Sequence, residues 1–361
     1  MVLYRKYRPQ NFEEVIGQEE IVKILSNEIK NDKIAHAYLF SGPRGVGKTT
    51  FARILAKAAN CLNRKKGESE PCDNCSACKS VAKGQNLDLI EIDAASNRGI
   101  NEIRELKEMI RFMPTLGRYK IFIIDEAHML TTEAFNALLK TLEEPPAYAI
   151  FILATTQLYK LPETIISRCQ NFSFNKIPLE KIVAHLKDIA TKEGRKVDEE
   201  VLKSIAYRSE GCVRDALSLL GQVLVLTTKE ISLKDAEIIL PPTCLNLVVD
   251  FVEALINKDP KKAFMHIKEA MDKGKEPADF LNEVIVFSRS LILEKIGVLN
   301  EHYKLQLDDE SNKKLSALAK QSEQKELTKI LDELVRAAVS YNYNQIPEMP
   351  LELATLVICE K

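Results

Sequence analysis

The sequence contains no tryptophan, and no stretch of it approaches the roughly 18 uncharged apolar residues that a membrane-spanning helix requires. Its opening residues, Met1-Val2-Leu3-Tyr4-Arg5-Lys6, carry no apolar segment of the kind found in a secretory leader. The expected setting is the cytoplasm, with no membrane partner. Net charge is also lacking: 51 basic residues face 52 acidic ones, so no overall basic field advertises nucleic acid. Any contact with DNA has to come from a local patch or from several subunits together. Internal repeats and low-complexity segments are absent as well. In a reducing compartment the eight cysteines are expected as thiols or metal ligands and not as disulfides.

What is present organises itself around Gly42 to Thr49, which reads Gly-Pro-Arg-Gly-Val-Gly-Lys-Thr and fits the G-x-x-x-x-G-K-[ST] phosphate-binding pattern. The apolar run Ala37-Tyr38-Leu39-Phe40 before it reads as a buried strand, and Thr50 to Asn60 after it as a helix. Such a loop runs through Gly42, Pro43, Arg44, Gly45, Val46 and Gly47, its glycines letting backbone N–H groups turn towards phosphates, and the helix that follows from Thr50 presents its positive end. Lys48 supplies a point charge and Thr49 a hydroxyl for Mg²⁺. A nucleoside triphosphate is the expected ligand. With 361 residues and 45% hydrophobic content the chain is expected to form two or three domains, because single cores rarely grow past about 250 to 300 residues.

A second pattern is Cys61-x10-Cys72-x2-Cys75-x2-Cys78, an insertion containing the basic run Arg64-Lys65-Lys66 and only Leu62 as a large aliphatic residue. Two-residue spacing lets neighbouring thiolates converge on one ion, and a closed set of four sulfurs suits a structural Zn²⁺ without catalysis. An iron–sulfur cluster and unligated thiols are the other readings. A ferredoxin run would continue to a fourth cysteine where Ala82 stands.

Downstream, Leu87 to Ile92 reads as a strand and Asn101 to Phe112 as a helix, with Arg98, Arg104 and Arg111 either touching phosphates or simply solvated. The run Ile121-Phe122-Ile123-Ile124 is apolar enough for a strand buried on both faces, and Asp125 and Glu126 emerge at its carboxyl end, where parallel sheets bind ligands. Asp125 is placed to hold the Mg²⁺ shell and Glu126 to polarise an attacking water. His128 reads as a structural, hydrogen-bonded residue. A helix is expected over Thr132 to Glu143 and a strand over Ile150 to Ala154, leading into Thr155-Thr156. Those hydroxyls either orient water or reflect ordinary β propensity.

From Pro178 onward the pattern is helical: Leu179 to Glu193, Asp198 to Glu210, Val213 to Thr227 and Ser232 to Leu240, then Pro241-Pro242 as a linker. Further amphipathic stretches cover Phe251 to Asn257, Phe280 to Gly297 and Leu327 to Tyr341, with no motif that carries chemistry.

Gly-Pro-Arg-Gly-Val-Gly-Lys-Thr, Asp-Glu-Ala-His, Ala-Thr-Thr, Ser167-Arg168-Cys169 and Gly211-Cys212-Val213-Arg214-Asp215-Ala216-Leu217 occur in that order. Together with the four-cysteine insertion and the opening Tyr-Arg-Pro and Val-Ile-Gly-Gln, they resemble the clamp-loader ATPases of the AAA+ class over essentially the whole chain. Within that class the resemblance is to the gamma/tau family of bacterial DNA polymerase III. It implies an α/β nucleotide-binding domain over residues 1–177 with the zinc module 61–78 inserted, a helical lid over 178–242 and an all-α collar over 243–361.

The resemblance further implies that Tyr7, Arg8, Pro9, Val15, Ile16 and Gly17 line the adenine pocket. Thr156, ahead of Thr155, would sense the γ-phosphate, Arg214 would reach the nucleotide from the lid, and Arg168 would act as an arginine finger on ATP held by a neighbouring subunit. Asn97 and Arg98 are the implied DNA contacts, although Asn97-Arg98-Gly99 departs from the pattern of the family there. The implied partners are further gamma/tau copies with delta and delta-prime subunits in a pentamer, the sliding clamp and primer-template DNA. Lacking the additional domains of a tau form, the chain resembles a gamma-like form or a shortened tau. No polymerase carboxylate constellation is identifiable, so no polymerase activity of its own is expected. The rival reading is a remodelling or branch-migration ATPase working as a closed hexamer; substrate-pulling remodellers usually carry an aromatic pore loop after the first helix, where this chain has its cysteines.

Overall fold

Three continuous apolar runs become the middle of a five-stranded parallel sheet in the order β2-β3-β4-β1-β5. The strands are β1 (Ala37–Ser41), β2 (Leu89–Asp93), β3 (Lys120–Asp125), β4 (Ala149–Thr155) and β5 (Gln170–Ser173). Every residue of β1 and β4 is buried, and in β3 only Asp125 is not. Such strands show no polar alternation because helices cover both faces of the sheet. The computed structural model describes residues 2–226, 230–236, 238–240, 245–298, 309–341 and 346–360. The chain divides into two compact units, Met1–Leu240 and Pro241–Lys361. The expected linker Pro241-Pro242 and the helix end at Thr227 lie outside the described residues.

On one face of the sheet, α2 (Glu19–Lys30) and α3 (Lys48–Ala59) pack Leu25, Ile29, Phe51 and Leu55 against Tyr38, Phe40 and Phe172. The opposite face takes α5 (Ile100–Ile110) and α6 (Thr132–Glu143), where Leu106, Phe135 and Leu138 meet Phe122 and Phe151, whose rings stack at 5.3 Å. Each of these fully buried side chains contributes about 2 to 3 kcal/mol through removal from water. With both faces of the central strands covered this way, ligands are left the carboxyl ends of the strands, which carry Ser41, Asp93, Asp125 and Thr155.

Residues after the sheet form α8 (Leu179–Lys192), α9 (Glu199–Arg208) and α10 (Val213–Leu226) around Ile182, Leu186, Ile205 and Leu220. Two details depart from the helical pattern expected here. A short parallel ladder pairs β6 (Lys196–Val197) with β7 (Glu230–Ile231), and two-residue strands are too short to show a period of two. The expected helix Ser232 to Leu240 shrinks to the single turn α11 (Leu233–Ala236), with residue 237 outside the description. The N-terminus adds the unexpected turn α1 (Leu3–Lys6), whose Leu3 joins the α8–α10 cluster and not the sheet.

The second unit is wholly helical among its described residues: α12 (Leu245–Ile256), α13 (Pro260–Asp272), α14 (Pro277–Lys295), α15 (Asp309–Gln321), α16 (Gln324–Ser340) and α17 (Met349–Cys359). Phe251, Phe280, Phe287, Leu315, Leu334 and Leu351 form its core. Prolines at the first turns of α13, α14 and α17 start those helices where no intrahelical N–H partner is lost.

Candidate functional site

The loop from Gly42 to Gly47 leaves the end of β1 and enters α3 directly, so that Lys48 is already the first helical residue, two positions earlier than the sequence pattern indicated. Gly47 caps the helix with φ of 107°, a left-handed conformation that a side chain disfavours. Gly45 has a second reason to lack a side chain, since a Cβ there would stand 1.9 Å from Cys212 Sγ, just ahead of α10. The phosphate loop therefore touches the helical part of its own unit. Lys48 is buried, and its Nζ donates to the carbonyls of Gly42 at 2.7 Å and Pro43 at 2.6 Å. Burial lowers its pKa, and the charges of Glu126 and Asp125 work against that. An ammonium so placed gains from an incoming polyphosphate.

Two elements bring the acidic pair to the loop. Thr49 Oγ1, on the first turn of α3, donates to Asp125 Oδ2 at the end of β3 at 2.8 Å. This hydroxyl–carboxylate pair is a donor set suited to the Mg²⁺ of a nucleotide. Glu126 follows with φ of 48°, a left-handed backbone uncommon outside glycine, and its side chain accepts from Thr156 Oγ1 at 3.0 Å. His128 Nδ1 lies 3.1 Å from Thr155 Oγ1 and 3.4 Å from Glu126 Oε2. Of the two threonines, Thr155 is fully buried and occupied by His128 and the Gln157 N–H, while Thr156 is the one that holds Glu126.

A cleft joins this chemistry to the N-terminal segment and to the α8–α10 bundle. Its walls include Tyr7, Arg8, Pro9, Val15 and Ile16, together with Arg44 to Thr50, Asp125, Glu126 and Arg214. Gly17 is set just outside, at φ 68° against Ile177, and the carbonyls of Gly42 and Pro43 face Lys48. The sequence pattern missed Tyr4, His185, Val213 and Leu217, which also line the cleft. Tyr4 and His185 come singly from α1 and α8, where no local motif announces them, and Val213 and Leu217 flank Arg214 on α10, in a run read for its arginine alone. Arg214 lies over the Tyr4 ring at 4.9 Å, and burial holds His185 below the ordinary histidine range. Tyr7 is tied to the same bundle, its hydroxyl donating to Glu193 Oε1 at 2.7 Å, where Lys6 Nζ also binds.

Three sequence candidates lie apart from this cleft. Arg168, just past α7 (Glu163–Ile166), donates to Glu143 Oε1 at 2.5 Å and to the Thr164 carbonyl at 2.7 Å. Arg98 is exposed, with Nε on the Ala95 carbonyl, and Asn97 donates its side-chain amide to the Asp93 carbonyl.

The cysteines of the insertion converge. The sulfurs of Cys61, Cys72, Cys75 and Cys78 all lie within 4.8 Å of one another. Four sulfurs around one Zn²⁺ at about 2.3 Å would be about 3.8 Å apart, so the cluster is compatible with a single zinc ion. Backbone N–H groups of Cys72, Cys75 and Cys78 donate to Cys61, Cys72 and Cys75 sulfurs at 3.3 to 3.4 Å. Such donors favour thiolates. Cys75 also caps α4 (Ser76–Lys83), a helix that the spacing had not suggested. The module is fastened to α3, where Lys57 binds Asp73 at 2.6 Å, and to the N-terminal segment, where Glu70 accepts the Phe12 N–H at 2.8 Å.

Three family models match in succession: "DNA polymerase III, delta subunit" over residues 17–178, "DNA polymerase III clamp loader subunit, ATPase lid domain" over 181–229, and "DNA polymerase III subunits gamma and tau domain III" over 231–360. The chain is 41% identical to DNA polymerase III subunit tau of Bacillus subtilis, over 99% of this chain and 63% of the relative. It is 43% identical to subunit gamma of Buchnera aphidicola subsp. Acyrthosiphon pisum, over 87% of this chain and 88% of the relative. It thus spans about six tenths of the Bacillus relative's length and most of the Buchnera one. Among solved structures, the RuvB Holliday junction branch migration motor of Thermotoga maritima aligns with a TM-score of 0.50 at 20% identity, covering 69% of this chain and 79% of that one, a likeness of fold.

Proposed function

We propose, starting from the fact that this chain belongs to the gamma/tau family of DNA polymerase III subunits, that it is the ATP-driven motor subunit of a sliding-clamp loader. The observation that carries the reading is the convergence of Lys48, Thr49, Asp125, Glu126 and Arg214 on one cleft between the sheet and the helical bundle of the first unit. Lys48 and the loop N–H groups would bind the phosphates, with Thr49 and Asp125 holding Mg²⁺, which neutralises phosphate charge when bound. Glu126, held by Thr156, would orient the attacking water. Tyr7, Arg8, Pro9, Val15 and Ile16 would enclose the base beside Gly17, and Arg214 would report the nucleotide to the lid.

In this reading residues 1–177 form the AAA+ domain, 61–78 its zinc module, 178–242 the lid and 243–361 the collar. Cys61, Cys72, Cys75 and Cys78 hold structural Zn²⁺. The subunit works in the cytoplasm in a pentamer of gamma/tau copies with delta and delta-prime subunits, opening the clamp around primer-template DNA. Arg168 acts on the ATP of a neighbour, where an arginine supplied in trans is worth roughly 10³ to 10⁵ in rate. The phosphate contacts to DNA are assigned to Asn97 and Arg98 on the exposed β2–α5 loop.

Loading of a fluorescent clamp onto primed circular DNA tests this function. The reconstituted assembly is expected to load clamp with ATP but not with ADP, and the Lys48→Ala chain to load none. ATP-independent loading, or none with the wild-type chain, would overturn it.

A further inference from the structure

A second cavity, of about 370 Å³, adjoins the nucleotide cleft, walled by Arg5, Arg8, Pro9 and Gln10 of the N-terminal segment, by Arg53 and Lys57 of α3 and by α4. One water needs only about 15 Å³, so the space admits a polyatomic ligand. Four cations meet here, and two carboxylates answer them, Asp73 at Lys57 and Glu91 at Arg53. Lys57 is engaged in structure, with its Nζ also donating to the carbonyl and the side chain of Gln10 at 3.0 Å. Arg53 gives one Nη to Glu91 at 2.5 Å, yet its Nε is buried with no acceptor. Among the described residues nothing accepts from the half-buried Arg8 guanidinium. Burial and the charge of Arg53 both act against the charged form of Arg8. The Arg8 guanidinium, without an acceptor and beside Arg5 and Arg53 on the wall of one cavity, suits an anion, and the planar fork of a guanidinium fits a phosphate group in bidentate fashion.

We propose that this cavity binds a phosphate-type oxyanion, in a site separate from the phosphate loop. The inference rests on the nucleotide reading of the cleft only in that the cleft has to be filled to observe the second site. Equilibrium dialysis with radiolabelled pyrophosphate tests it on the full chain, with the cleft saturated by a non-hydrolysable ATP analogue and Mg²⁺. Analogue binding, followed separately, reports on the nucleotide reading by itself. The expected result is one pyrophosphate per chain with the analogue bound. Affinity is expected to fall at least tenfold in Arg53→Gln and to rise severalfold in Glu91→Gln, which frees Arg53. The opposite signs keep the test decisive if one variant folds poorly. A single-stranded oligonucleotide that displaces the pyrophosphate assigns the site to nucleic-acid phosphate, and one that does not assigns it to a free phosphate compound. No uptake beside the bound analogue, or equal affinity in both variants, overturns the proposal.

Discussion

Glu126 combines an uncommon backbone with a fixed side chain: φ of 48° at the end of β3 aims its carboxylate to where Thr156 grips it. Residues held in sparsely populated backbone regions cost about 1 to 3 kcal/mol and persist where the surroundings enforce them, often at functional sites. Glu126→Gln keeps the shape and loses the base. It is expected to bind ATP with an affinity near that of the wild type while single-turnover hydrolysis falls at least 10²-fold, the usual contribution of a positioned proton acceptor. An unchanged rate would show that Glu126 does not orient the water. At this scale much of the cleft was legible, because the phosphate loop is one consecutive run and Asp125 and Glu126 end an unmistakably apolar strand. Tyr4 and His185 were not, because each comes alone from a different helix and only packing brings them together. Arg168 was legible as a residue, and what its own chain shows of it is its bonds to Glu143 and the Thr164 carbonyl, which do not speak to the role proposed for it on a neighbouring subunit.

Elements carry two further predictions. The cysteine module grips the segment around Gln10 to Phe12, which continues directly from the wall of the cleft at Tyr7, Arg8 and Pro9. Stripping the metal, or replacing Cys75 by Ser, is expected to melt α4 and loosen that segment. The KM for ATP should then rise several fold with kcat little changed, and metal analysis of the untreated chain should find one zinc per chain. A KM indifferent to chelation would sever the module from the cleft.

The other element is α1, held to α8–α10 by Glu193, whose carboxyl the Lys6 ammonium and the Tyr7 hydroxyl keep below its ordinary range. A depressed carboxylate stabilises the fold at pH above its unfolded value of about 4.3 and ceases to do so as pH falls through the lower folded value. The melting difference between wild type and Glu193→Gln should therefore be present at pH 7 and shrink below pH 4. A difference constant with pH would contradict the assignment. Periodicity made α6 readable to the residue, Thr132 to Glu143. It could not reveal α1 or the ladder of β6 and β7, whose few residues are fixed by tertiary contacts.

For the whole molecule, the cleft joins sheet and helical bundle within one unit, so a bound nucleotide can set the angle between them, and Gly45 against Cys212 marks how closely they meet. A hinge of this kind becomes a motor when hydrolysis waits on a neighbour, which is the role given to Arg168. Coupling of that sort has to show as a dependence of rate on the completed assembly and its substrates.

The most direct test is the steady-state ATPase rate of the chain alone and then with delta and delta-prime subunits, clamp and primed DNA, each with wild type and Arg168→Ala. Strong stimulation by clamp and primed DNA together, lost in the variant while ATP binding persists, is the predicted result. A rate indifferent to both, or one equally stimulated in Arg168→Ala, would contradict the account.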